Sequence, residues 1–224
     1  SPHAVEVRPS DSFVNVLLDR PVITGALGRY CELVPASQTW HSVILDETQK
    51  QFVWDLASGA PAVRDRLDAL GYGSLMPRGR GVVLLFSGPP GTGKSMFADS
   101  LAFRLERPLL RVHTSRLLEK RESARSVLSE IFRAGSLVGA VVLLDDCERL
   151  LEERDAAFLG LVESLDDFDG VLVLTTNDAS RIDVALERRI HHRLTFAAPS
   201  PREREEIWRV HLPPEAPIRH DVDL

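Results

Sequence analysis

An α/β fold, a parallel sheet of five strands flanked by helices, is what the sequence predicts, on three observations. Short runs of Val, Leu and Phe recur along the chain. Stretches with apolar residues at three- and four-residue spacing separate the first four runs, and a Gly-rich segment joins the first run to the first such stretch. Because the runs are continuously apolar rather than alternating, both faces of each strand are covered, the condition of a parallel sheet between helical layers.

Taken in order, the first strand is Val82-Val83-Leu84-Leu85-Phe86, entered through the turn Arg78-Gly79-Arg80-Gly81. A helix over 95–107 leads to the second strand, Leu109-Leu110-Arg111-Val112, and a helix over 124–134 to the third, Val141-Val142-Leu143-Leu144. A helix over 155–165 precedes the fourth strand, Val171-Leu172-Val173-Leu174, and a weaker fifth follows at Leu194-Thr195-Phe196. Pro199-Ser200-Pro201 closes the sheet. A last helix over 202–211 starts from a Ser N-cap with Pro at its first position, and Pro213-Pro214 ends it. Residues 1–38 carry scattered Pro and Gly with short apolar pieces and yield no element.

Length and charge narrow the function. At 224 residues the chain fits one large domain with a small appendage. Acidic residues outnumber basic ones, 33 to 27, and the net charge of −6 gives no whole-chain positive field for nucleic acid or anionic lipid. Nucleic acid is disfavoured as a partner. The longest apolar runs fall far short of the roughly 20 residues that cross a bilayer, so no membrane association is expected. Ser1-Pro2-His3 carries no secretory pattern, and two cysteines, Cys31 and Cys147, make no disulfide framework; the cytoplasm is the expected compartment.

The Gly-rich segment carries the clearest chemistry. Gly88-Pro89-Pro90-Gly91-Thr92-Gly93-Lys94-Ser95 matches the eight-residue phosphate-loop pattern and lies between a strand and a helix, as that pattern requires. Its glycines let successive backbone N–H groups face inward as an anion nest, continued by the start of the following helix. Lys94 is placed to reach the β- and γ-phosphates and the Ser95 hydroxyl to sit on Mg²⁺. The fold class is therefore that of a P-loop nucleotide triphosphatase, with a nucleoside triphosphate and Mg²⁺ as the expected ligands.

The third strand ends in Leu144-Asp145-Asp146-Cys147-Glu148, which puts acids at the sheet edge where open α/β sheets bind ligands. Asp145 is the expected metal partner, and Asp146 the residue that polarises a water for in-line attack on the γ-phosphate. Glu148 reads as negative charge at a helix start. Asn177, at the end of the fourth strand, can donate and accept hydrogen bonds to one water. Arg188 and Arg189 suit the planar, bidentate neutralisation of phosphate oxygens. Cys147 reads as a small packed residue, and His191-His192 as surface or interface histidines without metal spacing.

On these residues the chain resembles the AAA+ ATPases, and more narrowly those with an AAA-type module. The loop has that family's preferred form, and Val171-Leu172-Val173-Leu174-Thr175-Thr176-Asn177 resembles its sensor-1 strand. Asp183-Val184-Ala185-Leu186-Glu187-Arg188-Arg189-Ile190, running on to Phe196-Ala197-Ala198-Pro199, resembles its second region of homology. Thr39-Trp40-His41-Ser42-Val43-Ile44-Leu45 resembles the stretch that encloses adenine, so Val43 and Ile44 join the phosphate loop and Met96 as cofactor-binding residues.

The resemblance implies an AAA+ large subdomain over 39–200, a lid that only begins over 201–224, and an N-terminal segment over 1–38. It also implies a homo-oligomeric, hexameric ring that hydrolyses ATP at subunit interfaces to remodel a protein, with Asn177 holding the attacking water and Arg189 as first arginine finger acting in a neighbour's site. The second finger position falls at His192, beside Arg193.

Three departures shape the expectation. Asp146 stands where most relatives carry Glu, withdrawing the carboxylate by about 1.5 Å, one C–C bond, which keeps a weakly hydrolysing, nucleotide-gated assembly module as the alternative. Counting back from Ile131-Phe132, the substrate-gripping aromatic of protein-threading relatives falls near Lys120-Arg121, beside Glu122, with no aromatic there. The second sensor arginine lies outside the chain.

Overall fold

A computed structural model of the chain describes residue 23 and residues 25–69, 81–119, 121–152, 156–180 and 182–212. The strands are β1 (Cys31–Val34), β2 (Val82–Ser87), β3 (Leu109–His113), β4 (Val141–Asp145), β5 (Val171–Thr176) and β6 (His192–Thr195). The α-helices are α1 (Glu47–Ala69), α2 (Lys94–Arg104), α3 (Thr114–Glu119), α4 (Arg121–Leu137), α5 (Glu148–Glu152), α6 (Ala156–Asp167), α7 (Val184–Glu187) and α8 (Pro201–His211). The turn read at 78–80 and the closing Pro213-Pro214 lie outside the described residues.

One sheet runs in the order β1-β3-β4-β5-β2-β6. Every pairing is parallel except that of β1 with β3. The expected five parallel strands are all present, but the sheet has six: Cys31–Val34 adds an antiparallel edge, Cys31 opposite Val112 and Val34 opposite Leu109. The sheet thus reaches back into the residues 1–38 that the sequence leaves unassigned. Cys-Glu-Leu-Val is too short to signal a strand, and its burial, with Glu32 and Leu33 exposed, is that of an edge.

The alternation within each strand divides two cores. Leu84, Phe86, Val141, Leu143, Val171 and Val173 face one cluster with Val53 and Ala57 of α1 and Phe97, Ala98 and Leu101 of α2. Val83, Leu85, Val142, Leu144, Leu172 and Leu174 face the other, with Leu128, Ile131 and Phe132 of α4 and Leu161 and Leu165 of α6. Helices on both faces keep the central strands dry, which is why their sequences run apolar without a break. The observed α2 begins at Lys94, one residue ahead of the expected start. α8 has the expected Ser200 cap, completed by a capping box with Glu203. α1 has no counterpart in the sequence reading, because Gly59 and Pro61 interrupt its middle.

Where α4 crosses α6 the two backbones touch. A Cβ added at the buried Gly160 of α6 would lie 2.6 Å from Arg125 Cα, and Arg125 pairs with Glu163 at 2.7 Å beside it. Ala is the better helix former in isolation, so its effect here separates packing from propensity. Gly160→Ala should lower the stability of the domain by about 1–3 kcal/mol through overpacking, read as a fall in the urea midpoint; an unchanged midpoint would place the two helices further apart.

Candidate nucleotide site

The sheet order brings the C-terminal ends of β4, β5 and β2 side by side, with Ser87 opposite Thr176 and Leu144 opposite Leu174. The segment after β2, Asp145 at the end of β4 and Asn177 just beyond β5 therefore meet at one edge, where parallel sheets bind ligands.

The loop itself is shaped by its glycines. Gly88, Gly91 and Gly93 take φ of 145°, 77° and 94°, in the left-handed half of backbone space. At Gly88 a second constraint applies: a Cβ would lie 2.1 Å from the carbonyl oxygen of Phe196, so the loop lies directly on the chain leaving β6. Thr92 Oγ1 closes the loop on the Pro89 carbonyl at 2.8 Å. Gly93 then caps α2 without a side-chain acceptor, leaving the helix start open to an anion.

Lys94 is 6% exposed. Its Nζ donates to the carbonyls of Gly88 (2.7 Å) and Pro89 (2.9 Å) and to Asn177 Oδ1 (2.8 Å). Beside it, Ser95 Oγ donates to Asp145 Oδ1 at 2.6 Å, and Thr175 Oγ1 donates to the same oxygen at 2.6 Å. The phosphate loop, the strand-end acid and the sensor-like strand are thus joined through hydrogen bonds.

Sequence reasoning missed Thr175, whose hydroxyl also accepts the Asp146 backbone N–H at 2.9 Å. Thr114 is a further omission: its hydroxyl spans the carbonyls of Asp145 (2.8 Å) and Asp146 (3.2 Å). Glu148 proves more than charge at a helix start, for its carboxylate accepts the backbone N–H of Asn177. A Ser or Thr beside an acid motif is the available signal, and it is a weak one, because each partner comes from a different strand.

Asp146 sits at φ 50°, a left-handed conformation that Asp tolerates better than most residues. Loss of solvation, then the neighbouring Asp145 and Glu148 charges, hold its carboxyl above the usual carboxylate range, with Lys94 pulling the other way. Cys147 is fully buried, its thiol donating to the Thr175 carbonyl at 2.9 Å and its proton affinity raised by burial, as a packed residue requires.

On the other side of the loop, Val43, Ile44 and Met96 line a cavity of about 290 Å³, walled by residues 195–199 and by Ile207 and His211 of α8. The arginines stand apart from this network. Arg188 is exposed at the C-cap of α7. Arg189 donates through Nε (2.9 Å) and Nη2 (2.7 Å) to Asp166 of α6 and through Nη1 to the Ala185 carbonyl (2.8 Å). His191 Nδ1 accepts the Val83 N–H at 3.1 Å, the His192 ring meets that of Phe52 at a tilt of 57°, and Arg193 pairs with Glu187 at 2.7 Å. Lys120 lies outside the described residues, as do the side chains of Arg121 and Glu122.

A phosphate loop after β2 with an acid at the end of β4, one strand removed across β5, defines a P-loop nucleotide-binding protein. The chain belongs to the ATPase family associated with various cellular activities (AAA), whose family model matches residues 84–198. It is 27% identical over 214 residues to ATP-dependent zinc metalloprotease FtsH 2 of Salinibacter ruber, covering 81% of this chain and 30% of that protein. It is 31% identical over 163 residues to 26S proteasome regulatory subunit 8 of Caenorhabditis elegans, covering 64% and 38%. With the proteasome-activating nucleotidase of Aeropyrum pernix it shares 29% identity over 228 residues, covering 88% and 53%. The chain thus spans about a third of the first two relatives and about half of the third. A solved structure described as "Structural Basis for Katanin Self-Assembly" has the same fold, with a TM-score of 0.61 at 17% identity, covering 91% of this chain and 65% of that one.

Thr175 is fully buried and serves two partners at once. Thr175→Val should cost about 1–3 kcal/mol by stripping a bond from Asp145 and leaving the Asp146 N–H unpaired, while Thr175→Ser should recover most of it. Chemical denaturation checks both; a wild-type midpoint for the Val variant would remove the hydroxyl from the network.

Proposed function

We propose that this chain binds ATP with Mg²⁺ between neighbouring copies in a ring and uses hydrolysis to remodel a protein partner. The observation that supports it most is the meeting of Lys94, Ser95, Asp145 and Asn177 at one strand edge, Lys94 to Asn177 at 2.8 Å and Ser95 to Asp145 at 2.6 Å. A hydroxyl and a carboxylate already in contact are hard oxygen donors of the kind Mg²⁺ takes, so Ser95 and Asp145 fit the ion and would hold it. When bound, the ion supplies charge neutralisation to the β- and γ-phosphates.

The chain's own residues divide the remaining work. Lys94 exchanges the Gly88 and Pro89 carbonyls for phosphate oxygens, and Val43, Ile44 and Met96 receive the base. Asn177 orients a water. Asp146, whose raised proton affinity suits a base, takes a proton from that water as its oxygen attacks the γ-phosphorus in line and the bond to the bridging oxygen breaks. Asp146 is shorter than the Glu of most relatives, so turnover is proposed to be slow; a chain that binds ATP and scarcely turns it over would act as a nucleotide-gated assembly module.

A protein as the remodelled partner rests on relatives named as an ATP-dependent metalloprotease and as proteasome regulatory subunits. A hexameric ring is the assembly proposed, with the large subdomain over 39–200 and the lid beginning at 201. The cytoplasm is the compartment proposed, and both cysteines are buried free thiols.

Two experiments test this reading. Lys94→Ala should weaken ATP binding by about ten- to a hundredfold, the worth of a charge-assisted bond, without unfolding the domain; wild-type affinity in a calorimetric titration would overturn the site. Arg189→Ala and Arg188→Ala should keep ATP affinity and lose turnover by roughly a thousandfold if each acts in trans, and mixing either with Lys94→Ala should restore part of it. Activity per subunit that stays constant down to monomer concentrations would refute both the ring and the trans arginines.

A further inference from the structure

Three buried polar side chains that the phosphate chemistry does not use converge on one strip of backbone. Lys50 of α1 is 1% exposed, and its Nζ donates to the carbonyls of Trp40 (2.9 Å) and Val43 (3.0 Å) while pairing with the Glu47 carboxylate at 2.6 Å. Asp99 of α2 is 7% exposed and accepts the backbone N–H groups of Ser37 and Gln38, each at 2.8 Å. Ser100, next to it, donates to the Thr39 carbonyl at 3.2 Å. Carbonyls and N–H groups from Ser37 to Val43 are thereby held from two helices at once.

Burying an ammonium and a carboxylate carries a desolvation cost that apolar side chains would avoid. What the charges add is fixed placement, since each forms two hydrogen bonds in directions set by the backbone. Trp40 is held within the same strip: the Lys50 ammonium lies 5.1 Å from its ring centre, the Arg104 guanidinium 4.1 Å, and Phe97 5.6 Å. The strip runs directly into Val43 and Ile44, which line the cavity beside the phosphate loop, whereas Lys50 and Asp99 do not line it.

We propose that Lys50 and Asp99 are positioning residues for the nucleobase: they clasp residues 37–43 onto α1 and α2 so that Val43 and Ile44 stand at a set distance from the phosphate loop. The inference rests on the ATP reading above. Its consequence is selective, because the clasp acts on affinity gained through the base and leaves affinity gained through the phosphates alone. Inorganic tripolyphosphate, which has the phosphates and no base, separates the two.

The test is calorimetric titration of the purified protein with Mg²⁺-ATP and with Mg²⁺-tripolyphosphate. Lys50→Met and Asp99→Ala should each weaken ATP binding by about tenfold, the value of one or two misplaced hydrogen bonds, and leave tripolyphosphate binding within about twofold. Asp99→Asn, which keeps an acceptor oxygen, should restore most of the ATP affinity. Parallel loss of both ligands, or loss of neither, would overturn the positioning role. Should Lys50→Met or Asp99→Ala fail to fold, Ser100→Ala decides: removing one hydroxyl should weaken ATP alone by about threefold, and an unchanged ATP affinity overturns the proposal. A wild-type protein that binds ATP no more tightly than tripolyphosphate would overturn the base site itself and the clasp with it, whereas a wild-type preference for ATP that persists in the variants overturns the clasp alone.

Discussion

The site depends first on where the Lys94 ammonium goes. A buried cation without partners is costly, and Lys94 finds its partners in two carbonyls of its own loop and in Asn177 from the far side of β5. One side chain therefore closes the loop on itself and ties the end of β5 to it. The loop can curve that tightly because Gly88, Gly91 and Gly93 take positive φ, and it can lie on the Phe196 carbonyl because Gly88 has no Cβ. The backbone of the loop, the ammonium and the edge of β6 form one continuous support, and a phosphate would enter as a better acceptor for donors already gathered there.

The parts of this arrangement legible in the sequence are those governed by local pattern. Strands β2 to β5 announce themselves because burial on both faces removes alternation, and the phosphate loop because glycine spacing between a strand and a helix has few other causes. β1 is silent, being four residues without an apolar alternation, Glu32 and Leu33 both exposed, and α1 is silent because Gly59 and Pro61 weaken its helical pattern. Among site residues, Lys94, Ser95, Asp145 and Asn177 were legible by position. Thr175, Thr114, Lys50 and Asp99 were not, since a hydroxyl or a charge acquires its task only when a partner from another element arrives. The sixth strand escapes the sequence for the same reason: the five expected parallel strands are present, and the added edge is defined by its neighbour, here β3.

Arg188 and Arg189 mark the point where a single chain stops explaining itself. Adjacent in sequence, they differ in commitment: Arg189 spends three nitrogens on Asp166 and the Ala185 carbonyl, while Arg188 is exposed. A guanidinium held by a carboxylate is pre-aimed, with less rotamer freedom to lose on meeting a phosphate. Under the proposed trans role it would also have to loosen that bond to deliver its charge. Arg188 carries the opposite balance, with more freedom to lose and no such bond to Asp166 to break, so under the proposed role the two would reach a phosphate at unequal cost.

The two ends of the site are built from different physics and meet on one helix. At the phosphate end, backbone geometry and a single ammonium set the shape; at the base end, charged side chains hold a strip of backbone in place. Both have a part on α2, which carries Lys94 and Ser95 in its first turn and Asp99 and Ser100 in the next, while Lys50 holds the strip from α1. At about 1.5 Å rise per residue, five residues separate them by about 7.5 Å along the axis. A shift of α2 therefore moves the phosphate donors together with the Asp99 side of the clasp. On the proposed reading that link would help keep the spacing between them constant, as a ligand with a base at one end and phosphates at the other requires.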